Sequence, residues 1–257
     1  MDLTKVKAIV LDIEGTICPI SFVKDTLFPY ALEALPKLLS EKWDDPEFKK
    51  YREDFPDEAK VSPEAFQAHV QDITKKDIKV AYLKNLQGHL FRTGYETSAF
   101  STPLFPDVIP ALKTWSAHKD LAIFSSGSVD AQKLFLAYVA EDVVTDGAST
   151  KPAPGSKTVD LNGLFDGRLF DTVNAGSKVE RESYVKIAKA LKRKEEEVLF
   201  LSDNVNEVRA ALHAGLDAAV VNRPGNAPLS MEDENDLLVI ESLDEIKHIA
   251  ELEGAEL

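Results

Sequence analysis

Four short apolar runs limit what this chain can fold into. They are Lys7-Ala-Ile-Val-Leu11, Leu121-Ala-Ile-Phe124, Val198-Leu-Phe-Leu201 and Ala218-Ala-Val-Val221. None alternates with polar residues, so each reads as a strand buried on both faces. Helical stripes lie between them: Val108, Leu112 and Trp115 form one, and Tyr184, Ile187 and Leu191 another. Ser177-Lys-Val-Glu180 and Ser242-Leu-Asp-Glu245 read as capping boxes that open helices, with Lys178 in the first turn of its helix. Short buried strands alternating with amphipathic helices define an α/β chain, a parallel sheet with helices on both faces. Ligands of such sheets bind beyond the carboxyl ends of the strands. That rule selects residues 12–16, 125–128 and 203–207, where polar groups directly follow apolar runs.

The stretch from about residue 21 to residue 92 has a different character. Ser62-Pro63 is a helix start, with a serine cap and proline in the first turn. Phe66, Val70 and Ile73 continue that helix, and Leu83, Leu86 and Leu90 mark a second. Pro29 and Pro36 are expected to divide or kink an earlier helix. No strand is legible there, so the stretch reads as a helical insertion. Residues 141–167 carry Gly147, Pro152, Pro154, Gly155, Gly163 and Gly167 and read as a loop with little regular structure. The acidic 232–236 run reads as a solvated loop.

Charge narrows the range of partners. The 257 residues include 44 acidic and 30 basic ones, a formal net charge of −14. That balance opposes binding to nucleic acid or an anionic membrane surface. No apolar run approaches the roughly 18 residues of a membrane span. Asp2, Lys5, Lys7, Asp12 and Glu14 interrupt the first twenty residues, unlike a signal peptide. Cys18 is the one cysteine, so no intrachain disulfide forms and a reducing, intracellular home is expected.

Asp12, Glu14 and Asp203 would repel one another at one sheet edge unless a cation neutralised them, and an all-oxygen set suits Mg²⁺. Ser125, Thr16 and helix-start amides would hold phosphate oxygens, and Lys178 would add positive charge. A carboxylate can also attack phosphorus and carry the phosphoryl group. Each residue alone has a plainer reading. Asp12 and Asp203 would be turn formers or caps, Ser125 and Ser126 loop serines, and Lys178 a solvated lysine. Glu207 reads as a surface helix residue rather than a ligand, and Cys18 as a packed bystander. The five histidines show no metal-ligand spacing.

Taken together, Asp12-Ile-Glu-Gly-Thr16, Ser125, Lys178 and Asp203 resemble the four motifs of the haloacid-dehalogenase superfamily. Asp12-Ile-Glu-Gly-Thr-Ile-Cys-Pro-Ile20, Phe28-Pro-Tyr30, Leu86-Gln-Gly-His89, Ser125-Ser-Gly-Ser-Val129-Asp-Ala-Gln132 and Arg223-Pro-Gly-Asn226 resemble its enolase-phosphatase family of methionine salvage. The resemblance implies a Rossmann-like core over residues 1–19 and 104–257 and an all-helical cap over 20–103. It implies one Mg²⁺ per subunit, held by Asp12, Glu14 and Asp203. Asp12 would be the nucleophile and Glu14 the general acid/base, with Ser125, Ser126 and Lys178 binding substrate. The implied reaction converts 2,3-diketo-5-methylthiopentyl-1-phosphate to 1,2-dihydroxy-3-keto-5-methylthiopentene and phosphate. A monomer is expected, in the cytoplasm and with the nucleus as a second compartment. Two departures stand out: Ile17-Cys18 occupies a place where threonines are expected, and the 147–163 segment is longer than expected. Two alternatives stay open, a phosphatase for another phosphomonoester and a phosphoacceptor signalling domain.

Overall fold

The structure is a computed structural model, and it describes residues 4–76, 78, 80–147 and 149–246. Its centre is a six-stranded sheet formed by β1 (Ala8–Leu11), β2 (Asp120–Phe124), β3 (Leu169–Phe170), β4 (Val198–Ser202), β5 (Asp217–Val221) and β6 (Val239–Ile240). The spatial order is β6-β5-β4-β1-β2-β3 and every pairing is parallel. The chain runs outward from β1 through β2 to β3, returns to β4 on the other side of β1, and runs outward again. The strand order therefore reverses between β1 and β4, the place where an open α/β sheet forms its ligand crevice.

All four expected strands are present, and their burial explains the uninterrupted apolar runs. Ala8, Val10, Ala122, Phe124, Val198 and Phe200 pack against Tyr184, Ile187, Ala188, Val208 and Ala211 on one face. Ile9, Leu11, Leu121, Ile123, Leu199 and Leu201 point to the other face and are also buried, with helix Val108–Ser116 packed along β2. The edge strands β3 and β6 are two residues long, too short to leave a period in the sequence.

Four expectations change. Residues 141–167 are not an unstructured loop. Val143–Asp146 pairs antiparallel with Ser149–Pro152, Val139–Ala140 pairs with Thr158–Val159, and Asn162–Phe165 is a helical turn. The acidic 232–236 run lies in helix Met231–Asp236, whose N-cap Ser230 accepts from Asp233 N–H. The helix expected from Ser177 begins later, as Arg181–Ala190 with Glu180 at the N-cap. Lys178 therefore sits in the preceding turn, not in the helix. Pro36 does not divide its helix, which runs unbroken over Phe28–Lys42 with Pro29 in the first turn. Ser242 behaves as expected: Glu245 accepts from Ser242 N–H at 2.9 Å and residues 244–246 open the helix, whose expected continuation lies outside the described residues.

The described chain divides into two compact units. One lies within Met1–Ile20 and Ser101–Leu257 and contains the sheet; the other is Ser21–Phe100. The second unit is built from helices Phe28–Lys42, Pro46–Glu53, Pro63–Lys75 and Ala81–Glu96 around its own core of Leu35, Phe48, Phe66, Val70, Leu83 and Leu86. Ser62 accepts from Ala65 N–H as an N-cap, and Gln87-Gly88 lies inside a helix rather than ending one. Phe100 closes this unit edge-on against Tyr30 and Tyr95, at 5.0 and 4.6 Å between ring centres. A methyl group on Gly94 would lie 2.6 Å from the Phe100 ring, so only glycine fits beneath it.

Candidate active site

The reversal point of the sheet carries the acids. Asp12 follows β1, and its N–H continues the ladder to Leu201 O at 2.9 Å. The chain then turns sharply: Thr16, Ile17 and Cys18 all donate their N–H groups to Ile13 O, and Gly15 N–H reaches Cys18 O. Gly15 has φ +75°, and a side chain there would meet Asp203 Cγ at 2.7 Å and Asn226 Oδ1 at 3.0 Å. Glycine is thus required twice, for the left-handed backbone and for the close approach of the neighbouring loop.

Lys178 is buried at the centre. Its Nζ lies 2.6 Å from Asp12 Oδ1 and 2.8 Å from Glu207 Oε2, and 5.8 Å from the centre of the Phe124 ring. Burial alone would lower the ammonium pKa, but Asp12 and Glu207 outweigh it and raise the pKa above its ordinary value. The turn that carries Lys178 is fixed by Tyr184, whose hydroxyl donates to Lys178 O at 2.6 Å. Burial, then Glu207 and Asp12, hold that phenol neutral.

Asp203 faces the same cluster from the end of β4. Its N–H donates to Thr16 Oγ1 at 2.9 Å, which ties the turn after β1 to the turn after β4. Its carboxyl is pushed up to about 7 by burial and by the negative charge of Asp12 and Glu207, with only partial relief from Lys178. Burial and Asp12 also raise Glu207, against Lys178 and Ser202. Ser202 donates to Glu207 Oε2 at 2.8 Å and accepts from Asn204 N–H at 3.1 Å. Three acids thus lie in the field of one lysine, which bonds two of them, Asp12 and Glu207.

The third strand end is quieter. Ser125 is buried beyond β2; its Oγ accepts from Gly127 N–H at 3.2 Å. Gln132 braces the same loop, donating from Nε2 to Gly127 O and Phe170 O. Ser128 caps helix Val129–Ala137, its side chain accepting from Ala131 N–H. Ser126 and Glu14 are exposed. Of the expected site residues, the structure gathers Asp12, Lys178 and Asp203 around one point. Ser125 is at the neighbouring strand end, and the side chains of Glu14 and Ser126 face solvent.

The comparisons with known proteins show the family. The haloacid dehalogenase-like hydrolase family matches residues 6–215. An enolase-phosphatase E1 from Sclerotinia sclerotiorum is 49% identical over 253 residues, covering 97% of each chain. One from Neurospora crassa is 49% identical over 249 residues, covering 95% of this chain and 99% of its own. The chain belongs to the enolase-phosphatase E1 family. Among solved structures, the UTR4 protein of Saccharomyces cerevisiae superimposes with a TM-score of 0.79 at 38% identity, over 92% of this chain and 98% of its own. This member of the family is an enzyme of the hydrolase class.

Sequence reasoning about this enolase-phosphatase relative missed Glu207. It was expected on a helix surface; instead it is buried, bonded to Lys178 and Ser202. The available signal was its place on the first turn of helix Val205–Ala214, directly after a strand-end acid. Lys178 carries the motif position expected of it, but it precedes the helix rather than opening it. Two carboxylates hold it. Cys18 is buried, and burial raises its thiol pKa well above the ordinary value, followed by the effect of Glu14. It is packed in the interior, as expected.

Proposed function

We propose that this chain is a bifunctional, Mg²⁺-dependent enolase-phosphatase acting on 2,3-diketo-5-methylthiopentyl-1-phosphate in methionine salvage. The observation that carries the reading is the buried Asp12–Lys178 pair at the sheet's reversal point, with Asp203 opposite, in a chain 49% identical to named enolase-phosphatases. In this reading Asp12 attacks phosphorus. The Asp12 oxygen–phosphorus bond forms as the ester oxygen–phosphorus bond breaks, and the leaving oxygen takes a proton from Glu14. Water then breaks the aspartyl-phosphate and yields inorganic phosphate, with Glu14 accepting its proton. Lys178 orients Asp12 and meets the phosphate charge, and Ser125 and Ser126 bind substrate oxygens. The Ser21–Phe100 unit corresponds to the inserted cap.

The donor set fits a hard divalent cation. The acids outnumber the one buried lysine, and Asp203, pushed up to about 7, is the group with the most to gain from a cation. No group of three His, Cys, Asp or Glu side chains among the described residues forms a metal cage. Mg²⁺ habitually uses one or two carboxylates with waters and substrate phosphate. Asp12 and Asp203 would hold it, with Glu14 contributing through its backbone carbonyl. Bound there, Mg²⁺ would offset the repulsion between carboxylate and phosphate and polarise the phosphoryl oxygen.

A stability measurement follows from the same charges. An acid with a higher pKa in the folded chain than in the unfolded one stabilises fully at low pH. That contribution is lost as pH rises from about 4 to about 7. For Asp203 it amounts to roughly 4 kcal/mol at most. In the metal-free protein this part of the stability disappears by pH 7.5. Mg²⁺ should therefore raise Tm at pH 7.5 and do little at pH 5, where the proton occupies the site. Calorimetry at both pH values checks it, and a Tm indifferent to Mg²⁺ at pH 7.5 would contradict the ligand assignment.

The decisive test is turnover of the diketo phosphate with Mg²⁺, followed by ultraviolet absorbance and phosphate release together. An enol intermediate, then acireductone with phosphate, is expected. Phosphate release from other monoesters with no enol signal would move the function to a general phosphatase.

A further inference from the structure

The loop after β5 makes two bonds with no part in the chemistry above. Arg223 is buried, and its Nε donates to Thr16 O at 3.0 Å. Asn226 Nδ2 donates to Gly15 O at 2.9 Å. Two adjacent carbonyls of the turn after Asp12 are thus both held by side chains from one loop. That turn has no room to relax: Gly15 is pressed against Asp203 and Asn226, and Thr16 Oγ1 accepts from Asp203 N–H.

Arg223 is itself anchored at three further points. Its Nη1 donates to Glu241 O at 3.0 Å. Nη2 lies 2.9 Å from Asp107 Oδ2, an ion pair by distance rather than an aligned hydrogen bond. The guanidinium lies 4.6 Å above the Phe105 ring. Asp107 is in turn fixed by Leu243 N–H at 2.7 Å and the Ser242 hydroxyl at 3.1 Å. Phe105 N–H donates to Ile17 O at 3.0 Å, so the strut also spans the segments before and after the helical unit on the sheet side. A lysine carries all its donors on one nitrogen and cannot reproduce the planar fork whose separate nitrogens face Thr16 O, Glu241 O and Asp107.

From this geometry we infer that Arg223 and Asn226 are positioning residues for the acid pair. They hold the Gly15–Thr16 turn so that Asp12 and Asp203 stay apposed across the reversal point. The inference rests on the proposed role of that pair. Groups that orient metal-binding or reacting side chains from behind change affinity or rate by about 10- to 100-fold when removed, because a displacement of about 1 Å is enough to do so.

The test uses full-length Arg223→Lys and Asn226→Ala, each studied well below its own Tm. Binding of Mn²⁺ alone, read by electron paramagnetic resonance, and kcat and KM for phosphate release are measured together. Positioning predicts that Mn²⁺ affinity and kcat each fall about 10- to 100-fold, with KM within about threefold of the parent. A lower Tm with parental Mn²⁺ affinity and kcat would show a structural brace only and overturn the inference. If Arg223→Lys does not fold, Asn226→Ala decides, since it leaves the Arg223 anchors in place; parental values there also overturn it. Turnover surviving in Asp12→Asn would sink the nucleophile reading instead, while the Mn²⁺ result would still judge the positioning role.

Discussion

The Asp12→Asn variant should fold as well as the parent and lose phosphate release by roughly four orders of magnitude, the scale seen when a reacting group is removed. The carboxamide is nearly isosteric and cannot attack phosphorus. Stability is protected by the site's own imbalance. Position 12 gives up its charge beside Lys178, but Lys178 keeps Glu207 at 2.8 Å. Asp203 also loses one of the two negative neighbours that push its carboxyl up to about 7. The substitution should therefore leave unfolding free energy within about 1 kcal/mol of the parent, as at sites where activity requires a strained constellation. Urea melts and phosphate assays on one preparation check both halves. Mg²⁺-dependent turnover persisting in Asp12→Asn would show that another group attacks.

The Lys178→Met variant should behave in the opposite way, losing stability and activity together. It leaves Asp12 and Glu207 buried with no cation, and breaking such a pair from one side costs about 3–5 kcal/mol. The loss should be greatest at pH 8 and shrink toward pH 5. Without Lys178 the Glu207 carboxyl, already raised by burial and by Asp12, loses the neighbour that lowers it, so its contribution returns as pH falls. Turnover should fall by about a hundredfold or more, the scale of deleting one preorganised electrostatic contact. Urea titrations at the two pH values, with kcat at the higher, decide it. An equal loss at both would mean that lysine's stem, not its charge, supports the fold.

The sequence was most informative where burial is complete. Leu11, Phe124, Leu201 and Val221 end apolar runs because both faces of their strands are covered, and a run of that kind is visible without a structure. Phe66, Val70 and Ile73 were legible because one helix face is buried and the other is not. The 139–159 region was not legible: its antiparallel pairs are short and mostly exposed, so no hydrophobic period marks them. Among the site residues, Asp12 and Asp203 could be located because each ends a strand. Glu207 and Arg223 could not. Their burial depends on partners far along the chain, Lys178 for one and Asp107 for the other.

The position of β1 between β2 and β4 also dictates when this protein can become itself. Ala8–Leu11 leaves the ribosome well before Val198–Ser202, the strand that fills one of its hydrogen-bonding edges. The two ends of the bridge from Ser202 to Asp12 are 190 residues apart, roughly 10 to 40 seconds of synthesis at ordinary elongation rates. During that interval a four-residue strand, apolar on both faces, has an open edge, the kind of segment that seeks wrong partners. Chains cut short before β4 are therefore expected to aggregate rather than accumulate as a folded half. Asp12 and Asp203 meet only after β4 has been made, so a nascent chain that ends before β4 holds no assembled acid pair.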